Sequence, residues 1–253
     1  MSVAAPRLVR VFVTAVPPSQ YAVVDVETTG LDPRRNRVVQ IAVALLDPEG
    51  RLERQWHTLV NPRQDPGPVH VHGLTREQLA AAPLFAEVAP RLNQLLAGRV
   101  LVAHNADFDY SFLAAEAARA RHRLPTTHRL CTIDLARSLA VPVPDFRLSS
   151  LAEHYGITQQ RAHDARDDTR VLAEVFTRLL AGSRARGVRP QLLACQGAAG
   201  WVTWRWRNHV RPAARTVRRK AKRLWRTRAF RRTRALRRTR SLRRPAQVSR
   251  PPR

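Results

Sequence analysis

The sequence contains only two cysteines, Cys131 and Cys195, among its 253 residues. Two cysteines are too few for a disulfide framework, and this pair lacks the close spacing of zinc ligands, so a reducing compartment is indicated. Long apolar runs are also missing. No stretch reaches the roughly 20 residues that span a bilayer, and the apolar N-terminal stretch RLVRVFVTAV is interrupted by Arg10. We therefore expect a cytoplasmic protein without a membrane partner.

Acidic residues are absent from the C-terminal part of the chain. All 19 lie before Gly182, and residues 1–181 balance them with 21 arginines, for a net charge of +2. Residues 182–253 carry 22 arginines and two lysines, for a net charge of +24. This asymmetry predicts a short N-terminal extension (1–18), a nearly neutral folded domain (19–181) and an arginine-rich tail that begins at residue 182.

The arginine-rich tail has the composition of a nucleic-acid-binding segment. WVTWRWR, near its start, combines aromatic rings with cations, which suits single-stranded nucleic acid. RTRAFR, RTRALR and RTRSLR repeat every six residues, a period that distributes their apolar residues over three faces of a helix. We therefore expect a largely disordered tail that binds phosphates and loses affinity with salt. The alternative origin is GC-rich coding sequence read past its proper end.

The folded domain shows strands first and helices afterwards. Strands in YAVVDVETTG, RVVQIAVALLD and RQWHTLVNP, joined by short loops, predict an antiparallel meander. Thr75 and Gln78 form a capping box at a helix start, and a longer helix covers about residues 84–96. RVLVAHN and HRLCTIDLARSL add two strands with helices after them, and Ser150 and Glu153 form a second capping box. This order predicts an α/β fold, a mixed sheet with helices on both faces.

Asp25 and Glu27 lie two residues apart in the first strand. Their side chains therefore leave the same face of the sheet, while Val24 and Val26 point to the other. The two carboxylates can converge on one cation. The alternative is a pair of solvent-facing acids on an edge strand. The Val-rich surroundings favour the cation, because unpaired carboxylates near an apolar core are costly.

HNADFD places two aspartates at a helix start. Asp107 is expected to be the N-cap, and Asp109 to lie in the first turn, toward the core. The alternative for both aspartates is a purely structural role, in which they only complement the helix dipole. We prefer this structural role for Asp107.

HDARDD forms a second acidic helix start. Asp164 is the expected N-cap and Asp167 a first-turn residue, so both have structural roles. Asp168 belongs to the buried stripe of the helix that follows. His163 can cooperate with Asp168 only from the loop before the helix, which is where the Asp164 cap places it.

DVETTG, HNADFD and HDARDD match in order and spacing the three motifs of the DEDDh 3′-to-5′ exonucleases. The epsilon proofreading subunit of bacterial DNA polymerase III belongs to this family. The resemblance covers about residues 20–181 and includes VHGLT and LSSLAEHYGI. It implies a ribonuclease H-like fold, a five-stranded mixed sheet flanked by helices. It also fills the five functional positions of the family with Asp25, Glu27, Asp109, His163 and Asp168.

The resemblance implies phosphodiester hydrolysis with two divalent ions. Carboxylate oxygens suit Mg²⁺ or Mn²⁺ better than zinc. Asp25 would bridge both ions. Glu27 and Asp168 would complete the first site, and Asp109 would support the second. His163 would take the proton of the attacking water, since histidine exchanges protons near neutral pH.

The same resemblance suggests the substrate contacts. Thr28 and Thr29 are expected to contact the terminal nucleotide, with Leu31 beside its base and Asn105 near the strand. The expected partner is DNA with a single-stranded or frayed 3′ end, in proofreading or repair, and replication or repair proteins are candidate partners. RNA 3′-end trimming is one alternative. The other is a nucleic-acid-binding protein dominated by its basic tail.

Two other histidines resemble candidate ligands but are expected to be structural. His72, in VHGLT, is expected to shape the turn before the helix capped by Thr75. His104 ends the fourth strand and is assigned no catalytic role.

Overall fold

A computed structural model describes residues 20–195, so the N-terminal extension and most of the arginine-rich tail lie outside the described residues. Six strands and seven helices lie within this range. The strands are β1 (Tyr21–Thr28), β2 (Val38–Leu46), β3 (Leu52–Leu59), β4 (Val100–Ala103), β5 (His128–Cys131) and β6 (Leu193–Ala194). The helices are α1 (Val69–His72), α2 (Arg76–Ala80), α3 (Phe85–Leu96), α4 (Ala106–Arg119), α5 (Thr132–Ser138), α6 (Leu148–His154) and α7 (Ala165–Ala185).

The six strands form one mixed sheet in the order β3-β2-β1-β4-β5-β6. β1 pairs antiparallel with β2, and β2 with β3, so the predicted antiparallel meander is confirmed. β4 lies parallel to β1 and β5 parallel to β4, whereas β6 pairs antiparallel with β5. The predicted fold class is therefore confirmed, with one short strand more than the five expected.

The two faces of the sheet carry separate apolar layers. Val24 and Val26 of β1 pack on one face with residues of α3 and α4. Val23 packs on the other face with residues of α5, α6 and α7. Because alternate residues of a strand point to opposite faces, Asp25 and Glu27 share the α7 face with Val23. None of the helices between residues 20 and 195 is both long and apolar enough to cross a bilayer.

The predicted N-cap of α4 is wrong. Asn105 holds this position with a left-handed φ of 74°, so α4 begins at Ala106 and Asp107 lies inside its first turn. Asp107 instead pairs with Arg129, whose Nη2 lies 2.7 Å from its Oδ1. Asp109 lies in the same first turn and is buried, as predicted.

The two predicted capping boxes have different outcomes. The box of Thr75 and Gln78 is present at the start of α2. The box of Ser150 and Glu153 is wrong, because α6 begins at Leu148 with Arg147 as its N-cap, three residues before Ser150. The Ser150 hydroxyl donates instead to Asp145 Oδ1 at 2.6 Å, across the loop before the helix.

The folded domain continues past the boundary predicted at residue 181. α7 runs to Ala185, and β6 extends the sheet through residues 193 and 194. Val188 and Leu192 pack against the apolar layer on the α7 face. These apolar contacts, the pairing of β6 with β5 and the bond from the Cys195 amide to the Thr127 carbonyl join this basic segment to the folded domain.

Candidate active site

Four carboxylates from three elements meet at the end of β1. Asp25 and Glu27 come from β1, Asp109 from the first turn of α4, and Asp168 from the first turn of α7. The Val26 amide donates to Asp109 Oδ1 at 3.2 Å, which ties α4 to β1 between the two β1 acids. The structure therefore brings together the four carboxylates that the sequence selected.

His163 lies in the loop before α7 and is exposed, with a left-handed φ of 69°. Its amide donates to Asp168 Oδ2 at 2.9 Å. A ring nitrogen of His163 and one carboxylate oxygen each of Glu27 and Asp168 lie within 4.8 Å of one another. Asp164 caps α7 by accepting from the Arg166 amide. The prediction that this cap leaves His163 in the preceding loop, beside Asp168, is confirmed.

The pKa values of all four carboxyl groups are raised, as expected for buried acids that lie close together. Burial, and then the charges of Asp109, Glu27 and Asp168, raise the pKa of Asp25 well above its usual range. Burial also raises the pKa of Glu27 to about 8 and that of Asp109 to about 7, and raises the pKa of Asp168. Among residues 20–195, no arginine or lysine forms an ion pair with any of the four.

This donor set fits a hard divalent cation. Partly buried like charges without a counter-ion are costly, and a cation among them would offset both burial and repulsion. Carboxylate oxygens are the ligands that Mg²⁺ and Mn²⁺ prefer. The alternative of solvent-facing acids on an edge strand is wrong for Asp25 and Glu27, because β1 lies between β2 and β4.

Gln40, which the sequence did not single out, holds the start of α7 against the sheet. It is buried on β2, directly opposite Glu27 in the β1–β2 register. Its Oε1 accepts from the Ala165 amide at 3.2 Å, and its Nε2 donates to Asp164 Oδ1 at 3.3 Å. The available signal was a single amide side chain inside the apolar strand VVQIAVALL.

The loop before His163 is held by two further contacts. The side chain of Gln159 donates to Asp168 Oδ1 at 2.5 Å. Asp167 Oδ2 accepts from the amides of Gln160 and Arg161, each at 2.6 Å. Asp167 thus has the structural role predicted for it, whereas no pattern in the sequence distinguished Gln159.

The four predicted substrate contacts differ in exposure. Thr28 and Thr29 are buried; the Thr28 hydroxyl donates to the Gly30 carbonyl at 2.6 Å, and the Thr29 hydroxyl accepts two internal hydrogen bonds. These bonds shape the loop, and the contact of the two threonines with the terminal nucleotide stays a prediction. Leu31 is 65% exposed and Asn105 is exposed, so both are accessible to a ligand.

His72 and His104 are held by internal contacts. His72 Nδ1 accepts from the Leu74 amide at 3.0 Å, and its Nε2 lies 3.2 Å from the Pro66 carbonyl oxygen, so the predicted role in this turn is confirmed. His104 Nδ1 lies 3.0 Å from Thr132 Oγ1. Burial lowers the pKa of His104 to about 4, which leaves the ring neutral at physiological pH.

Comparisons with known proteins indicate the family of the chain. A model of the Exonuclease family matches residues 22–176. The DNA polymerase III subunit epsilon of Treponema pallidum is 34% identical over 162 residues, which cover 62% of this chain and 74% of that subunit.

Solved structures share the fold at lower identity. Escherichia coli exonuclease I in complex with a dT13 oligonucleotide aligns with a TM-score of 0.60 and 21% identity, over 67% of this chain and 42% of that one. A 3′-exonuclease that recognises a histone mRNA stem-loop aligns with a TM-score of 0.58 and 17% identity, over 70% of this chain and 91% of that one.

The family match spans all five predicted site residues and implies the use of a divalent metal ion, for which Glu27, His163 and Asp168 form a candidate ligand cluster. The mixed sheet with its flanking helices is the ribonuclease H-like fold of these neighbours. The chain therefore belongs to the exonuclease family, as a 3′-to-5′ exonuclease that hydrolyses phosphodiester bonds.

Proposed function

We propose that this protein removes nucleotides from the 3′ ends of DNA, in proofreading or repair, with two Mg²⁺ or Mn²⁺ ions. The observation that carries the proposal is the meeting of Asp25, Glu27, Asp109 and Asp168 at the end of β1, with His163 beside two of them. The relative named as a polymerase subunit and the neighbour bound to dT13 support DNA as the substrate. The neighbour that recognises an mRNA stem-loop supports RNA as the alternative.

In this proposal the carboxylates divide the metal ligation among them. Asp25 would bind both ions, Glu27 and Asp168 one of them, and Asp109 the other. Bound divalent ions would activate the attacking water, neutralise the phosphodiester and stabilise the leaving oxygen. The carboxylates bind as anions, so their raised pKa values mean that metal binding releases protons.

His163 is the proposed general base. Its exposed position in the loop leaves the ring open to the solvent from which the attacking water comes. The carboxylates of Glu27 and Asp168, within 4.8 Å of the ring nitrogen, would stabilise the imidazolium that forms when the proton is taken. The hydrogen bond from the His163 amide to Asp168 holds the His163 backbone next to the carboxylates.

The substrate's terminal nucleotide is proposed to lie over the loop after β1. Leu31, at its exposed tip, offers an apolar surface to the terminal base, and the exposed Asn105 offers an amide to the strand. The proposed partners are a single-stranded or frayed 3′ end and, by extension from the epsilon relative, replication or repair proteins.

The proposal is tested by comparing 3′-mismatched duplex DNA, single-stranded DNA and single-stranded RNA in Mg²⁺, each labelled at its 5′ end. We expect both DNA substrates to shorten from the 3′ end one nucleotide at a time, at least about tenfold faster than RNA, because a site can read the 2′-hydroxyl. Equal or faster shortening of RNA would favour the exoribonuclease. No shortening of any substrate would refute the proposal.

A chain that ends at residue 195 serves as the control for the basic tail. We expect it to retain turnover, with weaker and less salt-sensitive DNA binding. A nucleic-acid-binding protein dominated by its tail would show little turnover from this fragment. The cut lies after residue 195 because an earlier end would remove part of α7 or β6.

Gln40 provides a test of how the site is assembled. Gln40→Leu removes both hydrogen bonds to the start of α7 and leaves every proposed ligand in place. We expect hydrolysis of single-stranded DNA to fall by about 10- to 100-fold, as for other groups that orient metal ligands. We also expect a loss of about 1–3 kcal/mol in the free energy of unfolding, because buried partners lose their hydrogen bonds.

Initial rates over a Mg²⁺ titration and urea unfolding curves measure the two effects. Gln55→Leu, at an exposed position on β3, is the matched control and should change neither quantity. An unchanged rate and Mg²⁺ dependence in the less stable Gln40→Leu protein would contradict a role for Gln40 in positioning the site.

A further inference from the structure

A partly buried ion pair, Arg37–Glu116, lies outside the carboxylate site and connects α4 with the loops after β1 and β3. Glu116 of α4 is 1% exposed. Its carboxylate accepts from Arg37 Nε at 2.6 Å and Nη2 at 2.8 Å, from the Val38 amide at 3.2 Å and from Arg119 Nη1 at 3.3 Å. The hydrogen bond with Glu116 raises the pKa of Arg37. A bidentate pair of this kind defines direction as well as distance.

Arg37 extends this pair to the loops after β1 and after β3. Its amide donates to Thr29 Oγ1 at 3.0 Å, and its carbonyl accepts from the Thr29 amide at 2.9 Å. Its Nη1 donates to the Pro62 carbonyl at 3.3 Å. The side chain of Gln64 donates to the same Thr29 hydroxyl at 2.7 Å. Arg37 therefore contacts α4 and both loops at once.

The two loops are in close contact at Thr29. Gly67, with a φ of 80°, lies so near that a Cβ atom there would be 2.2 Å from the Thr29 carbonyl oxygen. A side chain at this position is therefore excluded by both the backbone conformation and the space. The position of Thr29 depends on the loop after β3 as well as on Arg37.

Glu116 also fixes the orientation of α4. It lies seven residues after Asp109, about two helical turns, so both side chains point from the same face of the helix. Asp109 bonds to the amide of Val26, and Glu116 bonds to the amide of Val38. α4 is thus held to β1 and β2 by carboxylate–amide bonds at two points.

Stability alone does not account for a pair of charges of which one, Glu116, is fully buried. The cost of removing two charges from water cancels much of their attraction, and apolar replacements of buried ion pairs are often neutral or stabilising. Apolar side chains cannot supply the side-chain hydrogen bonds that Arg37 and Glu116 make to each other, to the Val38 amide and to the Pro62 carbonyl. These side-chain bonds hold the backbone of Arg37, whose amide and carbonyl in turn bond to Thr29, two residues before the exposed Leu31.

We propose that Arg37 and Glu116 form a positioning pair that holds the loops after β1 and β3 against α4, so that the terminal nucleotide is held over the carboxylates. The inference rests on the proposed function of that site. Neither residue touches the substrate; the pair acts through Thr29 and the loop that carries Leu31.

The double variant Arg37→Met/Glu116→Leu tests the pair. We expect only a modest fall in its urea midpoint, because the buried Val38 amide loses its bond to Glu116 while no buried charge is left unpaired. We expect KM for single-stranded DNA to rise about tenfold while kcat changes less than about threefold, because the lost contact positions the bound substrate. Arg37→Lys, which keeps the charge without the bidentate geometry, should show a smaller rise in KM.

Arg51→Met/Glu49→Leu, which removes an exposed ion pair between β2 and β3, is the matched control and should leave KM unchanged. A double variant at Arg37 and Glu116 that folds and binds single-stranded DNA with the wild-type KM would overturn the proposal. If the double variant fails to fold, Arg37→Lys takes its place in the test. A wild-type KM in the folded Arg37→Lys protein would then overturn the proposal.

Hydrogen exchange tests the pair without relying on catalysis. In the folded double variant, or in Arg37→Lys, the Thr29 amide should exchange at least about tenfold faster than in the wild type, because its bond to Arg37 is loosened. Unchanged exchange would overturn the proposal. If the wild-type protein cleaves no nucleic acid, the proposed function fails, while exchange at Thr29 still decides on the pair.

Discussion

Asparagine in place of Asp25 should remove hydrolysis and, at the same time, stabilise the metal-free protein. The substitution preserves the shape of the side chain but removes the charge that would bind both ions. We expect the rate in Mg²⁺ to fall by about 10³-fold or more, the scale seen when a group that stabilises transition-state charge is lost. The metal-free protein at about pH 8 should gain on the order of 1–3 kcal/mol in unfolding free energy, since one repelling carboxylate is gone.

Shortening of 5′-labelled single-stranded DNA and urea unfolding in a chelator measure these two effects. Asp107→Asn is the matched control, since Asp107 lies two residues from Asp109 in the same first turn but pairs with Arg129. Its activity should stay within about threefold of the wild type, because a partly exposed ion pair contributes little. Undiminished Mg²⁺-dependent turnover by Asp25→Asn would exclude the proposed metal site.

The parts of the site that the sequence predicted are those governed by local rules. Alternation along a strand places Asp25 and Glu27 on one face, and the capping rule places Asp164 at the start of α7 with His163 before it. The same rule failed for α4, because its N-cap, Asn105, makes no side-chain capping hydrogen bond. Asn105 has a left-handed backbone there, a conformation that asparagine tolerates better than most residues, and no capping pattern reveals it.

The parts that the sequence did not predict depend on contacts between distant residues. Gln40 bonds to an amide 125 positions away, and Arg37 pairs with a glutamate 79 positions away. Neither contact produces a periodic pattern in the sequence. β6 was missed for another reason: a strand of two residues inside a basic segment is too short for alternation to be recognised.

The metal-free protein should lose stability as the pH rises from about 4 to about 8. A carboxyl group whose native pKa exceeds its unfolded value binds more protons in the native state between the two values, so the free energy of unfolding falls as pH rises through that window. For Glu27 the window runs from 4.5 to about 8, and for Asp109 from 3.8 to about 7. The contribution of the carboxylates is fully present below the window and is lost across it. His104 acts in the opposite direction, because its pKa, lowered from 6.5 to about 4, adds stability as the pH rises between those values; a net loss on the order of 3 kcal/mol is expected from about pH 4 to about pH 8.

Bound Mg²⁺ should reverse this dependence. The ion binds the ionised carboxylates, so its affinity rises with pH, and ligand that binds only the folded state adds stability by mass action. Urea midpoints at about pH 5 and about pH 8, with chelator or with excess Mg²⁺, separate the two cases. Asp25→Asn should flatten the dependence of the metal-free protein. A metal-free wild type that is more stable at about pH 8 than at about pH 5 would contradict the mutual repulsion of the four carboxylates, and with it the physical reason for a cation at this site.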